Sequence, residues 1–434
     1  MRYIRFLKTP RIAADKRTGK PHATCLIALT SDLGDSTLPY DTPLVADLLS
    51  ARDEVVASRT ALWPAGARTL AISLPLKPAF PAVLRLRIST APAAAHDTFA
   101  ALCAAAPAVL SAWSAEFSRA PAPPLVQRRL RIAHRTVSVW EETGDSIARH
   151  LWDAGIALAS AVGGLATAAD PATATSTSPS TTTDPAPIHP PDLASALNLP
   201  PSALASGLTA VELGTGTGLV GLTLASLLPH AHVVLTDLPA ARSIVATNIA
   251  VENAVLAEGA RVRFEEWDWD GAVPGWVGEM SEVSERSDVS EVSATSETSE
   301  TSSAKAASST TTRAQKRETE NEPENRAHPN AKKRIDLALV ADCTYNPDSS
   351  PALVRTLSRL AALNPRLAVV VALKTRHASE AVFYELMADA RFEEAARRVW
   401  ELPGDEGVGG ERVEVFVYRW AGAGEAVGHE REGG

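Results

Sequence analysis

The residues best placed to do chemistry stand at the ends of apolar runs in the second half of the chain. Residues 208–213, LTAVEL, lead straight into Gly214-Thr215-Gly216-Thr217-Gly218. Glycine at alternate positions bares the backbone, so a ligand can come close to its N–H groups. Glu212 precedes that turn by two residues, and Asp237 ends the next apolar run, HVVLTD, 23 residues after Gly214. Asp342 and Tyr345 follow a later run, IDLALVAD. A carboxylate at a strand end can accept two hydroxyl groups or hold a cation. Cys343 lies between Asp342 and Tyr345 with no His or Asn partner in view, and reads as a bystander.

The glycine loop fits two cofactors. Its continuation, Gly216-Thr217-Gly218-Leu219-Val220-Gly221, satisfies the GxGxxG pattern of a dinucleotide site. The register favours the other reading. The tight turn begins at Gly214, directly after the strand, and the Glu212 carboxylate would repel a pyrophosphate. The same carboxylate suits the cationic amino acid end of S-adenosylmethionine. Asp237 can accept both ribose hydroxyls of either cofactor. Glycines that merely permit a tight turn would not require Glu212 and Asp237 to accompany them. A nicotinamide oxidoreductase would also need a Tyr-xxx-Lys or a His/Asp pair, and none accompanies the loop.

These residues need a scaffold of strands whose ends meet. After the glycine loop, LVGLTLASLL has helical spacing, and LPAARSIVATNIAVENA follows HVVLTD as a second helix. VRFEEWDW, IDLALVAD and LAVVVALK read as further strands, and FEEAARRVWEL with RVEVFVYRW as a closing hairpin. Alternating strands and helices ending in a hairpin predict an α/β fold, a Rossmann-like doubly wound sheet with an antiparallel edge. Upstream, YIRFL, ATCLIALT, TLAISLPL and AVLRLRIS predict a β-rich unit over 1–140, with one Ala-rich helix near 97–119. Residues 167–191 are mostly Thr, Ser, Pro and Ala, and 275–334 carry a Ser/Glu near-repeat and a more basic stretch. Neither can bury enough apolar area to offset chain entropy, so both are expected to be disordered insertions, and 421–434 a flexible tail.

The string VELGTGTGLVGLTLA…VVLTD resembles the seven-strand S-adenosylmethionine-dependent methyltransferases, and within them methyltransferase family 16, which contains many protein-lysine methyltransferases. His150-Leu151-Trp152-Asp153-Ala154 resembles the family's helix upstream of the glycine loop, whose Trp lies against the cofactor. Trp267-Asp268-Trp269 ends the third strand, where the family often has a Trp beside the adenine. Ala341-Asp342-Cys343-Thr344-Tyr345 fits its DxxY motif. The resemblance covers 141–420 without the insertions, and it implies a cofactor site of Trp152, Glu212, Gly214, Thr215, Gly216, Gly218, Asp237, Trp269 and Ala341.

It also implies that Asp342 binds the ammonium of a lysine and that Tyr345 walls its channel. A turn-capping Asp342 is the plainer alternative. Trp152 is expected on a helix opened by Asp145, off the stripe of Ile147, Leu151, Ala154 and Leu158 and so free to wall the cofactor. Packing against the β-rich unit is its alternative. Lys374 and Arg376 either touch substrate or belong to a solvated loop, and Asn248 and Asn253 read as local caps or packing. The β-rich unit is expected to border the substrate channel, because its last segment runs into Trp152.

The remaining readings concern partners and place. Of the 434 residues, 42 are Lys or Arg and 51 Asp or Glu, a net charge of −9. So acidic a chain is not expected to bind nucleic acid generally. Cys25, Cys103 and Cys343 stand far apart, without CxxC or a nearby histidine pair, which excludes a disulfide framework and a zinc knuckle and fits a reducing compartment. No metal is expected, and no signal peptide or membrane span is apparent. A soluble monomer in the cytoplasm or nucleus, acting on a protein substrate, is the expectation. Lys332-Lys333-Arg334 resembles a nuclear-import signal, though such short clusters recur by chance. An arginine or small-molecule N-methyltransferase is the alternative within catalysis. A scaffold whose Ser/Glu insertion docks partners is the alternative outside it.

Overall fold

Alternating apolar residues fold the first part of the chain into two sheets. The elements are β1 (Arg2–Ala14), β2 (Pro21–Thr30), β3 (Thr42–Ser50), β4 (Val55–Trp63), β5 (Leu70–Pro75), β6 (Leu84–Ser89), α1 (Phe99–Ala104), β7 (Val109–Leu110), β8 (Ala112–Ser114), β9 (Leu125–Ile132) and β10 (Arg135–Glu142). One sheet has the order β5-β2-β1-β7, the other β10-β9-β8-β6-β3-β4. Ile4, Phe6, Ile27 and Leu29 of the first share a core with Leu48, Leu86 and Ile88 of the second. The structure, a computed structural model, describes residues 1–77, 79–90, 95–143, 149–169, 192–197, 204, 207–279, 334–404 and 410–422.

The helix expected over 97–119 shrinks to α1. Thr98 caps it by accepting the Ala101 N–H at 3.1 Å. Pro107 then stops it, because proline has no N–H and drives the residue before it out of helical backbone. The chain instead gives β7 to one sheet and β8 to the other. Ser111, between them, is held by its N–H and hydroxyl donating to Asp97 at 2.9 and 2.8 Å.

The second half is the doubly wound sheet expected from the sequence. It comprises α2 (Asp153–Ala169), α3 (Asp192–Leu197), β11 (Thr209–Leu213), α4 (Leu219–Leu227), β12 (His232–Asp237), α5 (Arg242–Glu252), β13 (Arg261–Glu266), α6 (Gly275–Glu279), β14 (Leu337–Ala341), α7 (Ser350–Leu363), β15 (Ala368–Leu373), α8 (Val382–Asp389), β16 (Phe392–Leu402) and β17 (Glu411–Trp420). The strand order is β13-β12-β11-β14-β15-β17-β16. β11 to β15 pair in parallel, and β17 runs antiparallel between β15 and β16. The order reverses between β11 and β14, where such sheets open a ligand crevice at their carboxyl edge.

Residues 1–274 and 334–434 form one compact unit, and 275–333 a second whose described part is α6. Of the expected disordered insertions, residues 167–169 instead close α2 and 275–279 form α6, while 170–191, 280–333 and 423–434 lie outside the described residues, as does Asp145. Among the described residues no helix is long and apolar enough to cross a membrane.

The helix carrying the tryptophan motif begins at Asp153, so Trp152 precedes it and caps it only through its carbonyl, which accepts the Ile156 N–H at 3.2 Å. α2 is apolar on nearly every side because it is covered twice. It packs on α4, β15 and β17, and also on β9. A single core therefore runs from Leu130 and Val139 through Leu158 and Val162 to Leu222 and Val370. A Cβ at Gly163 would lie 2.7 Å from Ile132 Cγ2, so this close approach requires glycine.

A second lock joins the halves. β10 is an edge strand, and an edge presents unpaired N–H and C=O groups. Asn248 on α5, fully buried, accepts the Trp140 N–H at 2.7 Å and donates to the carbonyls of Trp140 at 3.0 Å and Thr217 at 2.8 Å. Glu252 on the same helix accepts the Ser138 N–H at 2.9 Å. Asn248→Ala would strand these backbone groups, each at about 1–3 kcal/mol. The variant is expected to lose about 2–4 kcal/mol of unfolding free energy in a urea titration.

Candidate active site

The strand ends build the site. Thr215 N–H donates to the Thr236 carbonyl at 2.9 Å, and the Thr236 hydroxyl to the Glu212 carbonyl at 2.7 Å, so the glycine turn is tied to β12. Gly214 has φ +65°, a conformation side chains avoid, and a Cβ there would stand 2.6 Å from Cys343 Sγ and 3.2 Å from Trp269 Cζ2. Glu212 is 2% exposed and accepts the Gly221 N–H at 2.8 Å, closing the loop onto α4. Asp237 accepts the N–H groups of Gly216 at 2.8 Å and Leu238 at 2.7 Å. Burial raises its carboxyl above the usual range, against the pull of those two bonds.

Every residue assigned from the sequence to the cofactor or to the acceptor lysine except Gly218 lines one cavity of about 400 Å³, whereas Lys374 and Arg376 do not line it. Gly214, Thr215 and Gly216 form its floor with Glu212 and Asp237, while Trp152, Trp269 and Ala341 contribute walls beside Asp342 and Tyr345. Gly218 instead starts α4 at φ +83°, packed against Leu235 and Leu222. Trp269 stands past the end of β13 on a loop held by α7, where Arg355 donates to Asp270 at 2.8 Å and Arg359 to the Gly271 carbonyl at 2.8 Å. Trp152 is placed from the other side. Glu141 of β10 accepts the Leu151 N–H at 2.8 Å while pairing with buried Arg128 at 2.5 Å. Burial would raise the Glu141 carboxyl, but Arg128 above all holds it low and ionised.

Asp342 ends β14 with φ +57°, and Tyr345 is 52% exposed at the cavity mouth. Asp342 is bound by a two-pronged contact from Arg376, whose Nη1 and Nη2 donate at 2.8 and 2.6 Å. The guanidinium lies 5.4 Å over the Trp152 ring. Lys374 is 5% exposed and donates to Asp153 at 2.9 Å and Glu411 at 2.7 Å. The reading of Lys374 and Arg376 as a solvated loop is therefore overturned: Lys374 is buried and Arg376 half-buried beside the site, because four carboxylates compensate their charge. Glu411 and Asp32, part of this cluster, had no signal in the sequence, whereas Asp153 lay inside a motif already noticed for Trp152.

A family model described as lysine methyltransferase matches residues 132–283 and 289–390. The chain belongs to this family, methyltransferase family 16. A search of curated proteins finds no match. Among solved structures, it is similar to the mitomycin 7-O-methyltransferase MmcR, at 13% identity and a TM-score of 0.28, covering 50% of each chain, so it spans half the length of that protein. It is also similar to an S-adenosylmethionine-dependent methyltransferase from Methanosarcina mazei, at 13% identity and TM-score 0.29, over 49% of this chain and 92% of that one. TrmN from Thermus thermophilus is a third, at 16% identity and TM-score 0.28, over 52% and 48%.

Membership of this family implies S-adenosyl-L-methionine as the cofactor. The residues fit it. The glycine turn admits only bare backbone against Cys343 and Trp269, and the Trp269 indole N–H is buried on the cavity with no protein partner. Two carboxylates at adjacent strand ends match a ligand with a ribose at one end and an ammonium at the other. Among the described residues no His, Cys, Asp and Glu cluster is suited to a metal ion.

Burial raises the Glu212 carboxyl to about 7, with Asp237 adding to the shift and the Gly221 N–H opposing it. Glu212 is then neutral below that pH and ionised above it, and only the ionised form attracts the cofactor's ammonium. The affinity of the methyltransferase for S-adenosylmethionine is expected to rise by about tenfold per pH unit up to about pH 7 and then level off, with one proton released on binding at lower pH. Calorimetry from pH 5.5 to 8.5, about that pKa, checks this, and Glu212→Gln should flatten the dependence.

Proposed function

We propose that the protein transfers a methyl group from S-adenosylmethionine to a lysine side chain of a protein, as a monomer of the cytoplasm or nucleus. The observation that carries the reading is that Asp342 and Tyr345 line the same cavity as the glycine turn, Glu212 and Asp237. The description of the matched family supports lysine as the acceptor. The cofactor, when bound, supplies an electrophilic methyl group on a sulfonium. The acceptor nitrogen must reach it neutral and in line, so the site has to draw in an ammonium, let its proton go and tolerate the positive charge that returns.

Asp342 suits the first task, being a buried carboxylate at the cavity with one pair of neighbours already fixed by Arg376. Burial raises its carboxyl, and Arg376 limits the rise. Tyr345 suits the second wall of the channel, because burial raises its phenol and keeps it a neutral hydrogen-bonding group. Incubating the protein with tritium-labelled S-adenosylmethionine and an extract of cells lacking it tests the reading. Label on a lysine of a protein is the expected result. Label confined to arginine or to small metabolites would move the acceptor elsewhere.

A further inference from the structure

The charged cluster beside the cavity reaches a loop that the family match does not include. Asp32, just after β2 and 2% exposed, accepts Arg376 Nη2 at 2.7 Å. Both its oxygens stand 3.4 Å from Lys374 Nζ. The loop is anchored, since the Asp32 carbonyl accepts Arg5 Nη2 at 2.8 Å and its Oδ1 accepts the Leu33 N–H at 3.0 Å. Arg376 therefore joins two carboxylates, Asp32 and Asp342, that come from opposite ends of the chain. The matched residues begin at 132, well beyond Asp32.

An Arg376 paired with Asp342 alone would make a neutral couple, and a neutral couple attracts no cation. Adding Asp32 gives the trio one net negative charge. Lys374 does not cancel it outright: it and the Met1 ammonium are both shared with Asp153 and Glu411, so three cations face four carboxylates and one negative charge remains. The second carboxylate also fixes the rotation of the guanidinium, whose planar fork dictates where the Asp342 oxygens lie.

We propose that Asp32 is a positioning residue for methyl transfer: by sharing Arg376 with Asp342 it orients the Asp342 carboxylate and leaves it a charge with which to attract the acceptor's ammonium. This rests on the reading of Asp342 as the acceptor-binding group. Asp32 is not among the residues lining the cavity and acts on it through Arg376. Its removal should therefore separate transfer from cofactor binding.

Asp32→Asn keeps the shape and removes the charge. With the full-length protein, tritium-labelled S-adenosylmethionine and the proteins of the knockout extract, transfer is expected to fall by about tenfold, the order expected for one lost charge at this range. Calorimetric affinity for S-adenosylhomocysteine should stay within about twofold. The acid limb of the transfer profile should also move to lower pH. Asp32 and Asp153 are the like charges that help burial hold Asp342 up, against Arg376. A purely structural residue would lower cofactor binding and transfer together and leave the limb in place.

Transfer by Asp32→Asn within twofold of the wild type overturns the proposal. So does a parallel loss of cofactor affinity in a folded variant. If Asp32→Asn does not fold, Arg376→Lys decides: it keeps a cation but cannot fork between two carboxylates, and transfer within twofold of the wild type overturns the proposal equally. A wild-type protein that labels no protein lysine removes the reading of Asp342 and this role with it. Wild-type labelling with an unimpaired Asp32→Asn removes the Asp32 role alone.

Discussion

Asp237→Ala is expected to weaken binding of S-adenosylmethionine and of its demethylated product by about 10²–10⁴-fold. Hydrogen bonds from two hydroxyls to a charged acceptor are worth about 1.5–3 kcal/mol each, and every 1.4 kcal/mol is tenfold in affinity. The substitution also frees the Gly216 and Leu238 N–H groups, which the carboxylate holds at 2.8 and 2.7 Å, so the glycine turn keeps its ties to β12 through Thr215 and Thr236 but loses the one through Asp237. Asp237→Asn keeps an acceptor and should lose less. Asp237→Ala should also cost some stability, because it leaves two N–H groups without their acceptor, whereas Asp237→Asn keeps an oxygen for one of them. Calorimetry measures the change, and a loss of less than fivefold for the alanine variant would place the ribose elsewhere.

Asp342→Asn is expected to cut methyl transfer by about 10²–10³-fold, the effect of removing one charged group that acts on the reacting centre, while cofactor affinity stays within about threefold. The amide retains one oxygen for Arg376 and turns an NH₂ toward the other prong, so the guanidinium loses half of its fork. An acceptor ammonium then meets an arginine whose one remaining carboxylate partner is Asp32, with no second carboxylate to offset it. The labelled-extract assay reads the loss. Unchanged transfer with intact cofactor binding would leave Asp342 the turn-capping role its φ of +57° also suits.

The parallel strands β11, β12 and β14 were legible because each is a compact apolar run bounded by turn formers, with a carboxylate at or just past its end, at Glu212, Asp237 and Asp342. Such a run needs no partner to be seen. The start of α2 was not legible. Asp145 has the chemistry of a cap, but Asp153 begins the helix and spends its carboxylate on Tyr3 at 2.8 Å and Lys374. Sequence spacing cannot report partners 150 and 221 residues away. Asp32 was hidden for the same reason, since SDLGDS has the composition of any turn. The helix expected over 97–119 failed on Pro107, which outweighs a run of alanines because it removes a donor and restricts its neighbour. Asn248 looked like a local cap, and only the pairing of strands shows it serving the edge of another sheet.

The core shared across α2 has a bearing on inheritance and on handling. With Gly163 pressed against Ile132 and Asn248 bonded to Trp140, the catalytic sheet and the first 142 residues present each other's hydrophobic lining. Such halves melt as one cooperative event, and neither can be traded between proteins like an interchangeable cassette. A change in the remote sheets is therefore felt at Trp152 through Glu141, which holds the Leu151 N–H beside it.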